Sequence, residues 1–318
     1  MNTIRFLALW VVGVMGGAIH AASVEAGGYR FNVSLVPDSP SIMLGEPTWV
    51  TFRIENPSDV ALTFGRDLPA GTYLFGASFQ YPLQAIAADG HAVPSGPAGG
   101  GGGTGAGREV LVPAKGEFSY RVFVPAWVVL EKPGRYTLIC RRNPQIPNSP
   151  ADRGPGASLS LEARVEIEVT APDQERMGAL IARLGNRLLN VVDTVPVTSF
   201  TGLSSFAGFG PMPDFINLSA ISDERAVAYW VRLYRLGVTR GSDAAAFTAL
   251  QTLGKFDAPE ALDTLQAGLK IGPAELSTIK FPDDAIRTAE TIRREAAGAL
   301  RRSKSARAKT ILDADSLK

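Results

Sequence analysis

Two periodicities divide this chain. From about residue 28 to 171, apolar residues recur at every second position in short runs; from 172 onward they recur three and four apart. Phe31, Val33 and Leu35 alternate with polar partners. Val50, Phe52 and Ile54 oppose Trp49, Thr51, Arg53 and Glu55. Phe118, Tyr120, Val122 and Val124 keep the same spacing, and Leu159, Leu161, Ala163, Val165, Ile167 and Val169 make the longest series. Period two sends alternate side chains to opposite faces, so each run is expected to be a strand with one face on a core. Gly, Pro and Asn-Pro-Ser turns separate the runs with no helical pattern between them. That combination predicts an antiparallel β-sandwich over residues 27–171. "SGPAGGGGGTGAG" (95–107) interrupts it; a strand-like segment follows rather than a helix, so the Gly-rich stretch is expected to be a disordered hairpin loop and not a phosphate cradle.

Beyond Ala171-Pro172 the spacing is helical. Met177, Leu180, Ile181, Leu184 and Leu188 mark a first helix behind Asp173. Ala226, Val227, Trp230, Val231, Tyr234 and Leu236 mark a second, with Gly237 as its stop. Ala246, Phe247, Leu250 and Leu253 mark a third that ends at Gly254. A fourth, capped by Asp257 with Pro259 in its first turn, turns Ala261, Leu262, Leu265 and Leu269 inward. A last long helix opens at Pro282-Asp283 and runs to about Arg302, with Ile286, Ala289, Ile292, Ala296, Ala297 and Leu300 inward. Residues 172–318 are therefore expected to form an all-α domain, and the fold class is multi-domain, β then α.

The first 26 residues read differently from either half. Arg5 is followed by an uncharged, mostly apolar run of 14 residues, Phe6 to Ile19, and then by small residues at Ala21, Ala22 and Ala26. This is the composition of a secretory signal peptide, whose end is open among those three alanines. A run of 14 is short of the ~20 residues that span a bilayer. No Cys lies near its end to carry a lipid, and no later stretch has transmembrane length, so the expected location is periplasmic or secreted. Cys140 is the only cysteine, which excludes an intramolecular disulfide; within a strand pattern it reads as a small core residue.

Two resemblances follow from quoted stretches. "LGEPTWVTFRIENPSD" and "EKPGRYTLIC" resemble the bacterial immunoglobulin-like or fibronectin-like β-sandwich modules, without the cysteine pair of antibody domains. "TALQTLGKFDAPEALDTLQAGL" (248–269) resembles the short bacterial HEAT-like helical repeats, and "RREAAGALRRSKSARAKTIL" (293–312) looks like the start of a further unit. The resemblance implies stacked helical hairpins used for partner recognition. A plain small helical bundle fits the same spacing.

Composition adds little to the search for chemistry. The chain has 318 residues, 45% hydrophobic and 20% charged, with a net charge of +1, so overall charge points to neither nucleic acid nor an acidic surface. Past the leader there is one histidine, His91, on a turn. No His/Cys cluster, nucleophile elbow or calcium loop is present, so no metal and no cofactor is expected. Asp223-Glu224 and Asp283-Asp284 sit at helix starts, where the helix dipole accounts for them. Two stretches remain as candidate binding elements. "TSFTGLSSFAGFGPMPDFINL" (198–218) carries Phe200, Phe206, Phe209, Met212 and Phe215 with a single charge; its aromatics either tuck under the helices or form a partner patch. Between Arg287 and Lys309, eight Lys/Arg, including Arg293, Arg294, Arg301 and Arg302, face two Glu, a local net of +6. This is either a solvated helix face or a contact for an anionic envelope surface or acidic partner. No aromatics interleave, which disfavours nucleic acid. The expectation is a non-catalytic, exported interaction or scaffold protein that binds a protein or envelope partner through its helical domain. The alternative is an enzyme or enzyme inhibitor with a site at the interface of the two domains.

Overall fold

Leu161, Ala163, Val165, Ile167 and Val169 are each at most 2% exposed, and the residues between them face outward. The same alternation organises the N-terminal half of the computed structural model, which describes residues 19–20, 22–26, 29–67, 82–96, 108–142, 145–146, 157–158, 160–194, 213–240, 243–276, 278–279 and 281–316. The chain separates into two compact units, Met1–Asp173 and Gln174–Lys318. Strands make up the first and helices the second.

The first unit contains β1 (Ile19–His20), β2 (Ala22–Ala26), β3 (Tyr29–Pro37), β4 (Ser41–Met43), β5 (Trp49–Glu55), β6 (Leu62–Asp67), β7 (Leu83–Ala87), β8 (Arg108–Val112) and β9 (Glu117–Phe123). The single helical turn α1 (Val124–Trp127) follows, then β10 (Gly134–Arg142), β11 (Gln145–Ile146), β12 (Ala157–Ser158) and β13 (Leu161–Thr170). One sheet runs β2-β3-β5-β9, antiparallel throughout. The other runs β1-β13-β10-β7, also antiparallel, with β4 laid parallel along the end of β13. β6 pairs with β8, and β11 with β12. Phe31, Val33, Leu35, Val50, Phe52 and Ile54 from the first sheet share one apolar core with Leu83, Leu138, Cys140 and the inward residues of β13. Each Val, Leu, Ile or Phe side chain so removed from water contributes roughly 1.5–3 kcal/mol.

Three details depart from the simple alternation. Trp49, on the polar side of β5, is only 6% exposed: Phe123 lies 4.8 Å from its ring and the Arg121 guanidinium sits 4.9 Å over it. Ser95 and Gly96, counted with the Gly-rich loop, instead form a strap. Ser95 bridges to Val128, and the Gly96 N–H donates to the Trp127 carbonyl at 2.7 Å. A Cβ on Gly96 would stand 2.8 Å from the Ala126 carbonyl oxygen, so the close approach needs glycine. The rest of that loop, 97–107, lies outside the described residues. Ala22–Ala26, assigned above to the leader, pair with β3 from Ala22↔Val33 to Ala26↔Tyr29.

The second unit comprises α2 (Gln174–Thr194), α3 (Pro213–Ala220), a 3₁₀ turn at Glu224–Ala226, α4 (Val227–Arg240), α5 (Asp243–Leu253), α6 (Pro259–Lys270), a second 3₁₀ turn at Pro273–Leu276, α7 (Pro282–Arg302) and α8 (Ala306–Ser316). Met177, Leu180, Ile181, Leu184, Leu188, Trp230, Val231, Leu250, Leu253, Leu262 and Leu265 are buried at the positions their spacing predicts. Gly237 does not stop its helix: α4 continues to Arg240 with Gly237 buried inside it. Asp257 does not cap α6 either. Ala258 holds that position without a side-chain bond, and Asp257 serves another contact described below. Gly254, just past α5, lets α7 approach closely, because a Cβ there would be 2.9 Å from that of Ala299.

An arginine brace closes the start of this unit. Arg225 donates to both Asp223 carboxylate oxygens (2.9 and 2.6 Å) and to the Gln174 carbonyl and side-chain oxygens (2.7 and 2.9 Å). The Arg225 hydrogen bonds hold the Asp223 carboxyl below its ordinary range. A depressed folded-state pKa contributes stability that is complete above the unfolded value of about 3.9 and is lost as pH falls through the lower folded value. In urea titrations stepped from pH 6 downward, the wild-type midpoint should therefore fall below about pH 4. Asp223→Asn should lack that component of the decline.

Candidate functional site

The basic segment is built on α7 and the corner that follows it. Pro282 occupies the first turn, where its missing N–H costs nothing, Asp283 and Asp284 sit on the positive end of the helix dipole, and Arg301 and Arg302 on the negative end. Ala285, Ala289, Ile292, Ala296, Ala299 and Leu300 form the buried stripe. The small residues in it allow α7 to lie close to α5 and α6. Arg287, Glu290, Arg293, Arg294, Arg301 and Arg302 are exposed on the remaining circumference.

Some of this charge is neutralised locally. Arg287 pairs with Asp284, and Arg307 on α8 pairs with Asp263 on α6. Arg294 Nε reaches Glu295 at 4.0 Å. Among the described residues, Arg293, Arg301, Arg302, Lys304 and Lys309 make no ion pair. Three of them, Arg301, Arg302 and Lys304, cluster at the turn between α7 and α8, which is fixed from beneath. The Ser303 N–H donates to the carbonyls of Ala299 and Leu300 at 3.1 and 3.2 Å. Ser303 Oγ donates to Asp257 Oδ1 at 3.0 Å and accepts from the Ser305 N–H at 3.1 Å. Ser303 thus ends α7 as its C-cap and holds the turn that leads to α8, and Asp257 ties the corner to the α5–α6 loop. A corner held this way presents fixed cations at a lower ordering cost than a free tail would.

At the other end of α7, Phe281 is 68% and Ile286 43% exposed. Ile286 is not the inward residue expected from its place in the pattern. The buried stripe steps back from Ala289 by four to Ala285, which leaves Ile286 on the solvent side. Ala297 is only half-buried for the same geometric reason. At 1.5 Å per residue the exposed face from Phe281 to Arg302 is about 30 Å long, apolar at its start and cationic at its end.

The aromatic stretch divides. Phe200, Phe206, Phe209 and Met212 lie outside the described residues. Phe215 falls on α3, 6% exposed, with its ring edge-on to Trp230 at a centroid distance of 5.6 Å. It is a core side chain and not a surface contact, because α3 turns it, Ile216 and Leu218 into the helical core.

His91 is exposed on its turn, with Nδ1 3.2 Å from Asp89, whose carboxyl its hydrogen bonds hold low. Cys140 is fully buried, and burial raises its thiol pKa far above neutral. A shallow, open depression of about 390 Å³ lies between the end of β5 and the β8–β9 turn, lined by Glu55, Asn56, Pro57, Lys115, Gly116 and Glu117. Its one cation is engaged, with Lys115 Nζ donating to the Pro57 carbonyl at 2.8 Å and pairing with Asp59 at 3.1 Å. Among the described residues no helix is long and apolar enough to cross a membrane, and no three of His, Cys, Asp and Glu gather in metal-binding geometry.

No family model matches the chain, and no curated protein matches it in sequence. Solved structures give distant likenesses. A β-glucosidase from Listeria innocua aligns at TM-score 0.20 and 13% identity, over 45% of this chain and 16% of that one. The bacterial hydrophobin BslA aligns at TM-score 0.19 and 17% identity, over 44% of this chain and 93% of that one. A fragment of Escherichia coli α-2-macroglobulin, from domain MG7 to the C-terminus, aligns at TM-score 0.23 and 9% identity, over 91% of this chain and 55% of that one. The chain thus spans about a sixth of the β-glucosidase. Likeness at these scores establishes neither a common fold nor a common function.

Proposed function

We propose that this is an exported, non-catalytic interaction protein. An immunoglobulin-like β-sandwich carries a HEAT-like helical module, and the module recognises an anionic protein or envelope surface. The observation that supports the reading is the corner at Arg301, Arg302 and Lys304, where exposed cations without ion pairs stand on a turn fixed by Ser303 and Asp257. Cations that serve only solubility need no such support, and neighbouring carboxylates quench them elsewhere on the same unit, as at Arg287 and Arg307. Near an anionic surface each such side chain contributes about 1 kcal/mol, screened by salt within about 10 Å at 0.1 M.

Charge reversal is the test. The full exported chain carrying Arg301→Glu and Arg302→Glu should be retained on envelope fragments at least about 30-fold less well than wild type at low salt, with a flatter dependence on salt. In-cell crosslinking of both forms would name the partner by its loss from the variant. Equal retention, with equal crosslinks, would remove the corner from the recognition surface.

A further inference from the structure

The N-terminal strands bear on where the leader ends, a question that rests on the reading of this chain as exported. Three alanines, Ala21, Ala22 and Ala26, satisfy the small-residue requirement for the end of a signal peptide. The fold does not treat them alike. Ala22–Ala26 form β2 and pair antiparallel with β3 in unbroken register, Ala22↔Val33, Ser23↔Asn32, Val24↔Phe31, Glu25↔Arg30 and Ala26↔Tyr29.

Among the described residues β2 is the outermost strand of its sheet, and β3 has no other neighbour on that side. Phe31, Val33 and Leu35 on β3 are fully buried in the shared core. A cut after Ala26 would delete the whole of β2. It would leave the backbone N–H and C=O groups along one side of β3 unpaired, an open edge on a nine-residue strand. A cut after Ala21 removes none of these pairs, and a cut after Ala22 removes only the first. Two-residue β1, paired at Ile19↔Val165 and His20↔Arg164, contributes much less to its own sheet.

We infer that the signal is cut upstream of Ser23, that the bond after Ala26 is left intact, and that the mature chain begins with its own edge strand for β3. Maturation then delivers β3 with its neighbour already in place, with no interval in which β3 is free to pair with another chain.

N-terminal sequencing and intact mass of the exported protein decide the matter. A mature first residue of Ala22 or Ser23 supports the inference, and Gly27 overturns it. A chain still beginning at Met1 overturns the leader reading itself, a result distinct from the other two. Two processing variants give an independent readout, because a charged residue at the cut position blocks removal of the leader. Ala26→Glu should leave the amount of mature protein unchanged, whereas Ala21→Asp with Ala22→Asp should accumulate precursor. The reverse pattern would place the cut after Ala26. A variant with the leader joined directly to Gly27, if it is exported, should melt about 4 °C or more below wild type. An unchanged melting temperature would show that β2 does not hold the edge of β3.

Discussion

Trp230→Ala should lower the unfolding free energy of the helical unit by about 3–5 kcal/mol, a large part of what a domain of this size commands. Trp230 is fully buried, the largest side chain to be so among the described residues, and Phe215 packs edge-on against it. Truncation removes the indole and leaves a cavity that the flanking helix backbones cannot collapse to fill. The indole N–H has no acceptor among the described residues. Its burial already costs free energy, and no hydrogen bond would be lost by removing it. Trp230→Phe should therefore cost only about 1–2 kcal/mol, from the smaller volume alone. Urea unfolding followed by helical circular dichroism, with an unchanged dependence on denaturant, checks both values. Equal losses for Phe and Ala would contradict the account, since they would mean that the polar edge of the ring carries the stability.

Asn56→Ala should cost the β-rich unit about 2–4 kcal/mol. Asn56 is 2% exposed at the end of β5, where the Asn-Pro-Ser-Asp turn begins. Its Nδ2 donates to the carbonyls of Val60, Val112 and Pro113 at 2.8, 3.3 and 3.1 Å. Its Oδ1 accepts from the Ser58 N–H at 3.1 Å and the Ser58 hydroxyl at 2.6 Å. One amide thus closes its own turn and joins it to the end of β8, two segments more than fifty residues apart. Alanine orphans these groups at a buried site. Asn56→Asp should be at least as damaging, because a carboxylate has the same shape but would point an acceptor at three carbonyl oxygens. Thermal denaturation of the two variants beside wild type tests this; an aspartate variant as stable as wild type would rule the network out as the source.

The strands and helices were legible in the sequence because period two and period 3.6 are imposed by burial on one face, and this chain obeys both over long runs, most completely along β13 and α2. What was hidden depended on partners distant in sequence. Trp49 reads as an outward residue on β5 and is covered only because Arg121 and Phe123 arrive on β9. Asp257 reads as a helix cap by position, yet its oxygen is taken by Ser303, 46 residues away. Gly237 reads as a stop, but Leu236 to Arg240 have helical neighbours that sustain the turn. Ile286 departs from the pattern for a local reason, since the 3-4-3-4 spacing back from Ala299 along α7 selects Ala285. The basic residues of α7 were visible by composition alone; which of them lack ion pairs required Asp263, Asp284 and Glu295 to be placed in space.

Cys140 gives this protein a built-in clock. Its thiol lies on β10, between β13 on one side and β7 on the other, and no solvent reaches it. A thiol reagent can modify it only after those strands part, and no other cysteine competes for the label. The rate of its modification under native conditions therefore reports how often the sheets open. The same enclosure keeps two copies of the chain from joining through sulfur, whatever oxidant is present, for as long as the fold is intact.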